Sequence, residues 1–166
     1  MRYFCLLWLF LFLQVSSANN HVERALTYEG INESKNSKTI YEFQKYVGIG
    51  KNASWCAALI SYVTDGKPIK TALAKRFITS KSIKAKEVLQ GRVKIPRGAI
   101  IIWSKGTTWQ GHVGIVLIWN KGSGQTIEGN TSASNKGDQR NGDGVYKKIR
   151  KIETYNYFRI THFTLI

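Results

Sequence analysis

Four residues of this chain have the types and spacing to do covalent chemistry together: Cys56 in "NASWCAALISYV", His112 in "GHVGIVLIW", and Glu128 and Asn130 in "QTIEGN". A thiolate can attack a carbonyl carbon if an imidazole takes its proton, and a third polar group then fixes the imidazole tautomer and supports its positive charge. Taken singly, each residue has an ordinary explanation. A lone cysteine usually packs as a small apolar residue, a histidine opening a strand is usually structural, and a strand glutamate usually faces water. The competing histidines are weaker candidates. His21 lies three residues after Ala18, the expected cleavage point, where a frayed terminus is expected, and His162 alternates with apolar residues in the last strand.

The other cysteine, Cys5, belongs to the opening stretch "MRYFCLLWLFLFLQVSSANN", which has Arg2, an unbroken apolar run from Phe4 to Leu13, and Ser16 and Ala18 spaced like a signal-peptidase site. Residues 1–18 are expected to be a cleaved signal peptide. Their apolar run is shorter than the roughly 20 residues of a spanning helix, so no stable membrane span is expected. The protein is then exported, periplasmic or extracellular, with Cys56 as its one cysteine. No intramolecular disulfide can form, and the thiol must be buried, dimerising or reactive.

Residues 19–166 are long enough for a single domain. "HVERALTYEG" and "SKTIYEFQKYVG" carry apolar residues at helical spacing, with Gly30 and Gly48 placed where helices stop. From Ser54 to Thr64 the polar side chains form a narrow stripe, so this reads as a helix buried on most sides. With Ser54 or Asn52 as its cap, Cys56 lies in the first turn, where unpaired N–H groups and the helix dipole favour the thiolate. "IKTALAKRFITSKSIKAKEVLQG" reads as a basic, helical connection. After it "GAIIIWS", "GHVGIVLIWN", "GQTIEGN", "GVYKKIRKI" and "YFRITHFTLI" are β-branched or aromatic runs separated by turn formers, which predicts successive antiparallel strands. The fold class is α+β, with the Cys56 helix packed on one sheet face.

Strand parity then tests the constellation. If "NKGSG", residues 120–124, closes a hairpin of odd loop length, Trp119 opposes Gln125, Gly114 opposes Asn130, and His112, Glu128 and Asn130 share one face. Gly114 would leave room for the imidazole to meet Asn130, and a small register shift would bring Glu128 instead. An even loop would put the residues on opposite faces.

Formal charge is +15, and Lys67 to Arg97 contains ten Lys or Arg residues with Glu87 as its one acid. Such an excess suits an anionic envelope polymer, a membrane surface or nucleic acid, or serves solubility alone. No helix-turn-helix, zinc or aromatic RNA-binding signature appears, so nucleic acid is not an expected partner. An anionic envelope polymer is the candidate partner for the cationic surface.

"WCAALISYV", "GHVGIV", "IEGNTS" and "NGDGVY", in that order, resemble the CHAP domains, cysteine- and histidine-dependent amidohydrolases and peptidases of the papain-like, NlpC-related group. The resemblance covers roughly residues 25–165. It implies Cys56 as nucleophile, His112 as general base, Glu128 as the orienting residue and Asn130 as a further polar residue of the site. It also implies peptidoglycan as substrate, cut at an amide bond through a Cys56 thioester. In "PRGAIIIW", Arg97 and Ala99 stand where many relatives have a proline and an aspartate. The acidic loop that binds calcium in some relatives is not visible, so neither a metal nor another cofactor is expected, and the domain is expected to act as a monomer. The alternatives are a non-catalytic cationic envelope-binding module, or a related thiol hydrolase acting as an antibacterial toxin or on protein amides.

Overall fold

The computed structural model describes residues 20–134, 142–154 and 156–166, so the signal-peptide expectation and Cys5 lie outside the described residues. Helices come first: α1 (Asn20–Leu26), α2 (Glu33–Tyr46) and α3 (Cys56–Val63), followed by a 3-10 turn at Ala74–Phe77, strand β1 (Ile83–Lys84) and helix α4 (Ala85–Leu89). The strands β2 (Ile100–Lys105), β3 (Gly111–Asn120), β4 (Ser123–Thr131), β5 (Gly144–Lys151) and β6 (Phe158–Thr164) complete the domain. All six strands form one antiparallel sheet in the order β1-β6-β2-β3-β4-β5. This is the α+β class that the sequence pattern predicts.

Two expectations about connectivity need correction. The successive strands are not all neighbours in the sheet, because β6 returns past β2 and pairs with it and with β1. The basic connection is mostly not helical: it holds only the 3-10 turn, β1 and the five-residue α4. Its local chemistry explains the break. The Thr79 N–H donates to Ser82 Oγ at 2.8 Å, and the Lys81 N–H to Thr79 Oγ1 at 3.2 Å, so hydroxyls take donors that a helix would use.

Alternation along β2 and β3 divides the sheet into two faces. Ile100, Ile102, Val113 and Ile115 join Ala57, Ala58, Leu59 and Ile60 of α3 in one core, while Ile101, Val116 and Phe163 join Val88 of α4 in a second. Helix α1 is docked rather than frayed: the His21 ring meets the Gly98 carbonyl at 2.9 Å and Arg97 pairs with Glu23 at 2.8 Å. Arg97 therefore has a structural partner in α1 at the turn where the sequence departs from the family pattern. Among the described residues, no helix is long and apolar enough to cross a membrane.

Helix α3 lies so close to β4 that a Cβ on Gly129 would stand 2.6 Å from Leu59 Cδ2 and 2.8 Å from Trp55 Cζ3. Gly129→Ala should therefore destabilise the domain by about 1–3 kcal/mol through overpacking, read as a lower urea midpoint. An unchanged midpoint would contradict this packing of α3 on β4.

Candidate active site

The chain reaches Cys56 through a loop held by a buried amide. Gln44 Nε2 donates to the carbonyls of Lys51 and Ala53 at 2.7 and 2.8 Å, which fixes the approach to α3. The helix cap differs from expectation. Trp55, not Ser54 or Asn52, is the N-cap and makes no side-chain cap bond, so Cys56 is the first residue of the helix. Burial of Trp55 decides this, since its indole is inside the core and its Nε1–H donates to Glu33 at 2.8 Å. Cys56 is free and buried, and it lies in the first turn as the sequence pattern predicts.

His112 and Glu128 come together by a route that parity counting alone would reject. The β3–β4 turn has two residues, Lys121 and Gly122, since Asn120 pairs with Ser123 and Trp119 with Gly124. That loop is even, which should separate the two side chains. A register shift between Val116 and Ile118 adds one residue to β3, so that Gly114 pairs with Glu128. His112 and Glu128 thereby regain one face. Gly114 has the spacing role predicted for it, but toward Glu128: a Cβ there would lie 2.6 Å from Glu128 Cγ.

His112 Nε2 meets Glu128 Oε2 at 2.9 Å, with both side chains almost wholly excluded from solvent. Nδ1 is buried without a conventional hydrogen-bond partner, and Cys56 is the other group whose hydrogen bonding and charge act on this ring. Nδ1 is thus the nitrogen left to the thiol. Glu128 is held further by Thr126 Oγ1, which donates to Oε1 at 2.5 Å, and by Arg150, whose Nε donates to Oε1 at 2.7 Å and whose Nη2 pairs with Oε2. Trp103 flanks the cluster, with its ring centroid 5.3 Å from the His112 ring and its face 5.6 Å from the Arg150 guanidinium carbon.

Burial opposes charge on both partners, and their contacts outweigh it. Desolvation pushes the Glu128 carboxyl up, but the Arg150 and His112 hydrogen bonds and positive charges bring it down to about 2. Desolvation pushes His112 down, but the hydrogen bonds and charges of Cys56 and Glu128 raise it to about 9. The arrangement can hold a carboxylate and an imidazolium beside Cys56.

Asn130 adopts φ of 57°, in the left-handed region, where the β4–β5 pairing shifts between Glu128 and Thr131. It lines a cavity of about 390 Å³ with Glu33, Lys51, Ala53 and Asp143, rather than meeting His112 as the primary sequence register would have it. Its carbonyl accepts from the Gly142 N–H at 2.9 Å.

A family model described as the CHAP domain matches residues 48–130, half of the chain, and spans Cys56, His112, Glu128 and Asn130. The chain belongs to the CHAP domain family. No curated protein and no solved structure matches it. Membership points to peptidoglycan-related amidase or peptidase chemistry. Within this CHAP domain, sequence reasoning missed Thr126, Arg150 and Trp103. Alternation in "GVYKKIRKI" puts Tyr146, Lys148 and Arg150 on one face, but only the β4–β5 register shows that this face is shared with Glu128.

The two shifts set the pH response of stability. Glu128 has a lowered value, so its contribution is present above 4.5 and is lost as pH falls toward about 2. His112 has a raised value, so its contribution is present below 6.5 and is lost as pH rises through about 9. Urea denaturation across pH should show a plateau from 4.5 to 6.5 that weakens on both sides. Glu128→Gln should flatten the acid side and weaken the alkaline one, and a pH profile identical to wild type would contradict the coupling.

Proposed function

We propose that the protein is an exported peptidoglycan hydrolase that cleaves an amide bond, as a muramoyl-L-alanine amidase or a stem-peptide endopeptidase, through a thioester on Cys56. The carrying observation is the buried His112–Glu128 pair, with the buried Cys56 acting on the same ring, inside the span matched by the CHAP family. The N-terminal sequence of residues 1–18 supports export.

In this reading His112 Nδ1 takes the Cys56 proton while Nε2–H stays bonded to Glu128. The thiolate attacks the amide carbon, and the oxyanion is held by the Cys56 N–H at the start of α3. Collapse breaks the C–N bond as the imidazolium gives its proton to the departing amine. The thioester carries no thiolate charge, so His112 loses one of the influences that hold it protonated and stands as the neutral base that water requires. Water then gives the imidazole a proton, adds to the thioester carbon, and the carboxylate product leaves as the thiol is restored. Asn130 serves as a further polar contact, because it is buried yet lines the adjoining cavity.

Purified cell wall digested by wild type should release new amines and muropeptides whose masses identify the broken bond. Cys56→Ala should abolish release, and His112→Ala should reduce it by on the order of 10²- to 10⁴-fold, the usual range for general-base assistance. Asn130→Ala should retain more activity than either. Equal release by wild type and Cys56→Ala would overturn the proposal, and wall binding without any release would favour a non-catalytic envelope-binding module.

A further inference from the structure

We propose that Arg150 is a positioning residue for the Cys56–His112 pair: by gripping both oxygens of Glu128 it keeps that carboxyl an acceptor, and so keeps the imidazole proton on Nε2. The inference rests on the reading of Cys56 as the nucleophile. Arg150 projects from β5 onto the face that carries Glu128, and its Nε and Nη2 reach Oε1 and Oε2 in the two-pronged arrangement that suits guanidinium and carboxylate. The guanidinium also lies over Trp103, whose ring contacts His112, so one indole braces both groups.

The groups around Glu128 leave this task to Arg150. From β3 it meets His112, and within β4 the Thr126 hydroxyl, a neutral donor. From β5, Tyr146 is its register partner, and Lys148 acts on it only through charge. The Lys148 ammonium is spent on the carbonyls of Ser132, Ala133 and Ser134, at 2.9, 3.4 and 3.2 Å. Cys56 from α3 acts on the His112 ring and is not among the groups that act on Glu128.

Without the guanidinium, burial would favour a neutral Glu128, which would take a proton from solvent. A protonated carboxyl donates to Nε2, and a neutral ring then carries its own proton on Nδ1. The thiol would face an N–H where it needs a lone pair. Arg150 thus selects the tautomer that can accept the Cys56 proton, at a distance of two side chains from the sulfur.

The test compares wild type, Arg150→Met and Arg150→Lys by iodoacetamide alkylation of Cys56 against pH and by ¹⁵N shifts of the His112 ring, with folding checked by circular dichroism. Arg150→Met should alkylate about tenfold or more slowly near neutral pH, with its acid limb moved to higher pH, and its neutral ring should carry the proton on Nδ1. Arg150→Lys, which keeps the charge and loses the fork, should fall between. An unchanged alkylation profile and an Nε2–H tautomer in Arg150→Met would overturn the inference, even if stability fell. If Arg150→Met does not fold, Arg150→Lys carries the same readouts, and a wild-type profile and tautomer there overturn it. Alkylation needs no peptidoglycan, so a correct Arg150 dependence in a protein that does not cut cell wall would overturn the substrate reading alone. A wild-type thiol inert to alkylation near neutral pH would overturn both.

Discussion

Glu128 is a carboxylate with no exposed surface, and the rest of the site is organised around keeping it charged. A buried charge is tolerated only when paired and hydrogen-bonded on all sides. Here β5 supplies Arg150, β4 supplies Thr126 and β3 supplies His112. Three strands must therefore sit in fixed register, since loss of Arg150 or His112 takes a compensating charge from the carboxylate and loss of Thr126 takes a hydrogen bond. The same requirement makes His112 basic against the opposing effect of burial, because Cys56 and the Glu128 carboxylate both act on its ring.

Backbone irregularities supply that register. The shift in β3 between Val116 and Ile118 corrects the parity of a two-residue turn, and the absence of a side chain at Gly114 makes room for Glu128. One strand further, Gly129 lets α3 approach β4, and the left-handed Asn130 ends the regular pairing beside the cavity. Deviations from ideal sheet geometry thus gather near the residues proposed to do chemistry, as they do at many functional sites.

Much of this was legible in the sequence because it depends on local pattern. The β-branched runs between Gly and Asn clusters marked β2 to β6, and the apolar run after Ser54 marked α3 with Cys56 in its first turn. The shared face of His112 and Glu128 was legible only in part: it was conditional on an odd loop, the loop is even, and a bulge with no sequence signature at Leu117 restores the shared face. Arg150 was not legible, since its partner is 22 residues away and the link runs through the β4–β5 register. The basic segment misled because its composition favours a helix while the Thr79 and Ser82 hydroxyls and the pairing of β1 with β6 do not.

The central claim is that thiol and carboxylate act together on one buried imidazole. An NMR titration of the His112 ring in wild type and in Cys56→Ala tests it most directly. His112 should titrate near 9 in wild type and distinctly lower when the sulfur is gone, because one of its two supports is removed. The same titration midpoint in both proteins would contradict it.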